Sequence, residues 1–324
     1  MSNVQIYICI DSNWMPVLEM PITELGRLTT RPLKWLRFVT SVIYGQKGFL
    51  YLDSNGVGVS DYDSTTLQAS YFFWAEGPSR FIDLKARGRS AIPYFLPLAE
   101  PTDFRDAVLA RDKDCVFSDW PGSTCAAVHI IPRSKGDEYF QLVLDQSLED
   151  DVGLNRLNRD IAEMSISENG MHENIDDQIL PVDGVDCIQN GVLLNASLHK
   201  TIGFSYVALI KTPNFALSPD DIPRLPDSNR SSSTDARLTV QMLKPGMRFE
   251  AIYTRHNEDA RMPKNLDDWP SAAIVNASYC SAVLHNWGSP AFLEGLRNSE
   301  SEHNWRLVSN GPSTPPCDDC VGMV

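Results

Sequence analysis

Long hydrophobic runs are missing from this sequence. No stretch approaches the ~18 uninterrupted apolar residues of a membrane-crossing helix, so no membrane partner is expected. A basic leader is missing too. The opening MSNVQIYICIDSNW meets Asp11 before any Lys or Arg and reads as a first strand, not a signal peptide. Paired cysteine spacing is scarce. The seven Cys (Cys9, Cys115, Cys125, Cys187, Cys280, Cys317 and Cys320) are odd in number and scattered, which suits free thiols in a reducing compartment. An intracellular protein, cytoplasmic or nuclear and not secreted, is expected. Cys317 and Cys320 have CxxC spacing but form one lone pair in a polar tail. Internal repeats are absent.

Positive charge is also in deficit. The net charge of −14 argues against a nucleic-acid partner until it is located. Residues 136–186 hold fourteen Asp or Glu against two Arg, or −12, which leaves −2 for the other 273 residues. Such a block reads as a solvated stretch, and a phosphate-binding surface elsewhere is not excluded.

What is present is ordinary globular composition. The 324 residues are 43% apolar, 9% aromatic and 22% charged, which excludes collagen, a wholly disordered chain and a disulfide miniprotein. Residues 1–104 read as a small β-rich α+β domain. VQIYICI, GFLYL and ASYFFW are its strands, and the segment PITELGRLTTRPLKWLRFVTSVIYG is helical, with Pro32 in a first turn. TDFRDAVLARDKDC is a helix with Phe104, Val108 and Leu109 on one face. CVFSD, a Trp-Pro-Gly turn and CAAVHII then read as a two-stranded hairpin, followed by a short helix in KGDEYFQLVLDQ. After the acidic block, NASLHKTI fits a helix and YVALI a strand. Residues 218–236 form a Pro/Ser/Asp-rich linker or long loop, RLTVQML is a strand, and a helix pair breaks at Gly288–Pro290. The C-terminal extension spans 218–324, and its tail, 308–324, reads as disordered.

The chemistry-bearing residues are Val128-His129-Ile130-Ile131-Pro132, Asn190-Gly191-Val192-Leu193-Leu194, and His199 nine residues after Asn190. This set resembles the HNH endonuclease motif in the variant A-x-H-I-x-P … N-G-L-L-L-x-x-x-L-H. The preceding Arg111, Asp112 and Cys115, the closing KTPNFAL, and PLKWLR at 32–37 look like versions found in uncharacterised fungal HNH-domain proteins. The resemblance is strongest over 105–217. It implies an α+β fold with a ββα-metal (His-Me finger) core at 105–217, carrying the acidic insertion 136–186 and following the 1–104 domain.

The resemblance also implies roles. His129 is the general base, Asn190 holds that histidine or its loop, and His199 on the next helix ligates a divalent metal ion. Mg²⁺ is the first choice, with Mn²⁺ or Zn²⁺ as alternatives. An imidazole with a pKa near ~6.5 suits a base at physiological pH. Val128 stands where many members carry a metal-ligating Asp or His. Asn195, Asp183 and Asp186 are near enough in sequence to serve as additional ligands. Arg111, Arg133, Lys135 and Lys200 are candidate phosphate contacts, with Lys113 and Lys211 beside them. The partner implied is nucleic acid, with DNA favoured. A catalytically inactive HNH scaffold serving as an interaction module is the alternative.

Overall fold

The protein is seen in a computed structural model that describes residues 2–10, 12–83, 102–148, 184–226, 236–244, 254–262 and 266–300, with backbone alone at 102 and 298–300. Asp183, Cys317, Cys320 and the 308–324 tail lie outside the described residues. The chain is mixed α+β. β1 (Asn3–Ile10) buries Val4, Ile6 and Ile8 on one face by strict alternation. It turns back into β2 (Asn13–Pro21), which the sequence reading left unassigned. Pro16 lies within β2, and the strand tolerates it because β2 is at the sheet edge.

The helical stretch that follows is two helices. α1 (Ile22–Leu28) ends at extended Thr29, and α2 (Pro32–Tyr44) starts afresh with Pro32 at its first turn. Proline has no N–H to lose there. Gly45 ends α2 in the left-handed region (φ 80°), and a Cβ on it would sit 2.3 Å from the Arg80 carbonyl oxygen. β3 (Gly48–Tyr51) and β4 (Ser70–Ala75) complete a four-stranded sheet ordered β2-β1-β4-β3, with β1 and β4 parallel.

After α3 (Thr102–Asp112) comes the first departure from expectation. Cys115–Asp119 is not a strand, and no local hairpin forms. β5 (Cys125–His129) pairs antiparallel with β6 (Gly191–Asn195), far along the chain. The 115–119 turn is held against them by Val116 N–H donating to Leu193 O at 3.1 Å. Every residue of β6 is buried, so this apolar strand needs a partner and a cover. Between them lies α4 (Gly136–Asp145), whose Tyr139, Phe140 and Val143 are buried. The first part of the acidic block is therefore core-packed helix and not solvated excursion. Residues 149–183 lie outside the described residues.

α5 (Ala196–Gly203) follows β6 directly, and β7 (Val207–Thr212), β8 (Arg237–Met242) and β9 (Glu258–Asp259) form a third sheet. α6 (Ala272–Trp287) and α7 (Pro290–Glu300) close the described fold. α6 is buried continuously from Ala273 to Leu284, as its all-round apolar and small residues require. It packs on α2, α4, β2 and β7. Buried polar groups tie these elements together. Trp35 Nε1–H donates to Tyr279 Oη (3.0 Å), and Tyr279 donates to Gln241 Oε1 (2.6 Å). Gln241 in turn donates to Leu28 O (2.7 Å) and Asn257 Oδ1 (2.9 Å). One continuous apolar core thereby reaches all three sheets. No described helix is long and apolar enough to cross a membrane.

His256 joins the same region. Its Nδ1 accepts from Met242 N–H at 3.0 Å, so its Nε2–H is left to donate to Arg27 O, also at 3.0 Å. Burial pushes its pKa down to about 4. The unfolded imidazole titrates near ~6.5. Stability from this group is therefore full above that value and is lost as pH falls towards 4. Urea unfolding at pH 7 and pH 4.5 should show a loss of roughly 2–3 kcal/mol from this histidine. His256→Gln should remove part of that dependence. Equal unfolding midpoints at both pH values for the unsubstituted protein would contradict the assignment.

Candidate functional site

The site is built where β5 ends. His129 pairs across the sheet with Gly191, and Ile130 N–H continues the ladder to Asn190 O at 2.8 Å. Asn190 is fully buried. Its Oδ1 accepts from Ile131 N–H, and its Nδ2 donates to Ile131 O and Val185 O, each at 2.8 Å. Asn190 therefore clamps the loops on either side of the strand pair and makes no bond to the imidazole. This clamp returns the far end of the acidic block to the end of β5.

The His129 ring is fixed by two neighbours. Phe104 from α3 stacks on it, with centroids 3.8 Å apart and planes 13° apart. Asp186 Oδ1 lies 2.8 Å from Nε2. The second Asp186 oxygen pairs with Arg133 Nε at 3.1 Å. The His129 side chain is 11% exposed. Burial lowers its pKa, opposed by the Asp186 carboxylate. Phe104 reaches the ring only because residue 191 is glycine. A Cβ there would sit 2.6 Å from Val108 Cγ2 and 2.7 Å from Phe104 Cζ.

Beneath this lies a buried ion pair. Arg111 grips Asp112 through Nε (2.6 Å) and Nη2 (2.9 Å). Its Nη1 donates to Ile188 O (3.1 Å) and Asp268 O (2.5 Å), and Nη2 donates to Gly191 O (2.7 Å). Asp112 accepts Leu193 N–H at 2.8 Å, and the guanidinium lies 5.4 Å from the Trp269 ring centre. With 6% side-chain exposure, Arg111 is a structural clamp and not a phosphate contact. Lys135 is corrected likewise: its ammonium meets the buried Asp83 carboxylate at 2.6 Å and lies over Tyr139.

Asn195 is corrected as a metal ligand. Its Oδ1 caps α5 by accepting Leu198 N–H (2.9 Å), and its Nδ2 donates to Ser118 Oγ (2.9 Å). Lys211 donates to Pro270 O at 2.7 Å. Lys113 and Lys200 are exposed. His199 sits half-buried on α5, which packs against β5, β6 and β7. Val128 is a core residue, 4% exposed and opposite Val192. Among the described residues no three His, Cys, Asp or Glu side chains converge as a metal site. A hard divalent cation takes about six oxygen or nitrogen ligands. The His199 imidazole, with Val128 apolar and Asn195 committed to its helix cap, does not supply that set, so the described residues do not by themselves fit a resident cation.

The structure thus brings together His129, Asp186, Arg133 and Asn190, with Arg111 beneath them. The sequence reading missed Phe104 as the ring's partner and Asp112 as the arginine's. Phe104 was visible only as part of an apolar helix face, and nothing local linked it to His129.

A model of the family described as HNH endonuclease matches residues 115–209. The matched span holds β5, β6 and α5, with His129, Asn190 and His199. No curated protein and no solved structure matches the chain.

Removing the buried arginine tests its structural role. Arg111→Ala should cost about 3–5 kcal/mol of unfolding free energy, because Asp112 is left buried and unpaired. Arg111→Lys should recover only part, since an ammonium cannot fork to a carboxylate and three carbonyls. A variant of unchanged stability with weaker DNA binding would restore the phosphate-contact role.

Proposed function

We propose that the protein is an HNH-type endonuclease that hydrolyses nucleic-acid phosphodiesters, with DNA the favoured substrate and His129 the general base. The observation that carries this reading is the His129–Asp186–Arg133 cluster at the end of β5, inside the span that matches the HNH endonuclease family. With Asp186 accepting the Nε2 proton, the neutral ring keeps its lone pair on Nδ1. Nδ1 makes no hydrogen bond among the described residues. There it can take a proton from water as the water oxygen bonds to phosphorus. The P–O3′ bond then breaks and the leaving oxygen takes a proton from solvent, giving a 5′-phosphate and a 3′-hydroxyl. Arg133, half-exposed beside the ring, is placed to meet a phosphate oxygen. His199 remains the residue assigned to a divalent cation, Mg²⁺ first, and no step here is derived through it.

The second reading is an inactive scaffold for protein or nucleic-acid contacts. Two observations favour it: Val128 is core, and Arg111 and Lys135 are both committed internally.

Plasmid nicking with Mg²⁺, Mn²⁺ or EDTA separates the two. Under the nuclease reading, His129→Ala lowers the rate ~10²–10⁴-fold. His199→Ala lowers it together with the metal response. The lowered His129 pKa sets the sign of the pH profile: the active neutral ring persists below the ordinary imidazole range, so the acid limb falls at a pH beneath ~6.5. No metal-dependent nicking by the unsubstituted protein, or a nicking rate that neither histidine substitution alters, would leave the scaffold reading standing.

A further inference from the structure

We propose that Asp186 is a positioning residue for His129, delivered to the imidazole by the returning end of the acidic block and locked there by Asn190. The proposal rests on the nuclease reading for its catalytic meaning and on geometry for its substance. Stacking on Phe104 fixes the plane of the ring but leaves it free to turn within that plane. Asp186 removes the remaining freedom, because its Oδ1 lies 2.8 Å from Nε2. A carboxylate only accepts, so Nε2 must carry the proton and Nδ1 the lone pair. The two contacts together decide which nitrogen is basic and where it points.

Asp186 is itself held by a second ion-pair partner and by the backbone on either side of it. Its Oδ2 meets Arg133 Nε at 3.1 Å, which holds the carboxylate turned to the ring. The preceding residue is gripped at both ends: Val185 N–H donates to Asp137 Oδ1, and Val185 O accepts from Asn190 Nδ2, each at 2.8 Å. The following residue closes a turn, with Cys187 N–H donating to Gly184 O at 3.0 Å. Asp137 belongs to the first turn of α4, so a carboxylate near each end of the acidic block serves this one loop.

The test uses full-length protein with ¹⁵N-labelled histidine, beside nicking kinetics. The unsubstituted protein should show a His129 Nε2–H proton protected from solvent exchange. Asp186→Ala should lose that signal, while Asp186→Asn, whose amide oxygen still accepts, should retain part of it. In kinetics, Asp186→Ala should lower kcat roughly 10–100-fold, a fraction of the general-base contribution, with KM changed by less than about threefold. Asp186→Asn should recover part of the rate. A rise in kcat for Asp186→Ala would overturn the proposal and make Asp186 a plug over the anion site of His129 and Arg133. Unchanged signal and unchanged kcat would reduce the contact to an incidental ion pair. A protein that never cuts DNA overturns the nuclease reading alone, and the N–H signal then still decides whether Asp186 fixes the ring.

Discussion

The Arg111–Asp112 pair is the contact on which the rest of the site depends. One guanidinium spends its donors on a carboxylate and three backbone carbonyls, those of Ile188, Gly191 and Asp268. These carbonyls belong to the entry of β6 and to the segment before α6, which are distant in sequence. The Asp112 carboxylate in turn holds the β6 backbone at Leu193. Burying such a pair is costly, and the cost is met only when each donor finds its acceptor. That condition fixes α3, β6 and the 266–270 segment relative to one another. With α3 in place, Phe104 can lie on His129.

Much of this was legible in the sequence. The strand in VQIYICI, Pro32 in a helix's first turn, the helix in NASLHKTI and the break at Gly288–Pro290 each express a local rule, and each corresponds to an element or boundary. The His129, Asn190 and His199 spacing marked the right neighbourhood. Long-range pairing was not legible. CVFSD lies next to CAAVHII and reads as its partner, whereas the partner strand starts at Gly191. Sequence proximity favours the local hairpin. What decides otherwise is a fully buried strand that must be covered on both faces.

The same limit explains the basic residues. Arg111 and Lys135 lie close to the motif and carry the charge that a phosphate would need. Their commitments are to atoms at Ile188, Gly191, Asp268 and Asp83, which no local pattern reveals. Asp186 is singled out in the sequence for its nearness to the motif, as an additional metal ligand, while the two groups that it joins come from the other side of a long connection. The acidic block is therefore not uniform: α4 is core-packed, and Asp186 is a partner to the imidazole.

The join between β5 and β6 also bears on how the molecule comes into being. Sixty residues separate His129 from Asn190, and the clamp beneath them waits for Asp268. Entropy penalises such closure only logarithmically, about 0.6 kcal/mol for each doubling of a loop, so the connection can lengthen or shorten at little expense. Timing is less forgiving. A chain emerging from a ribosome lacks Asp268 until most of its length has been made, and domains form from the N-terminal side first. The imidazole thus gains its full setting only near the end of synthesis, after the four-stranded sheet has had time to form.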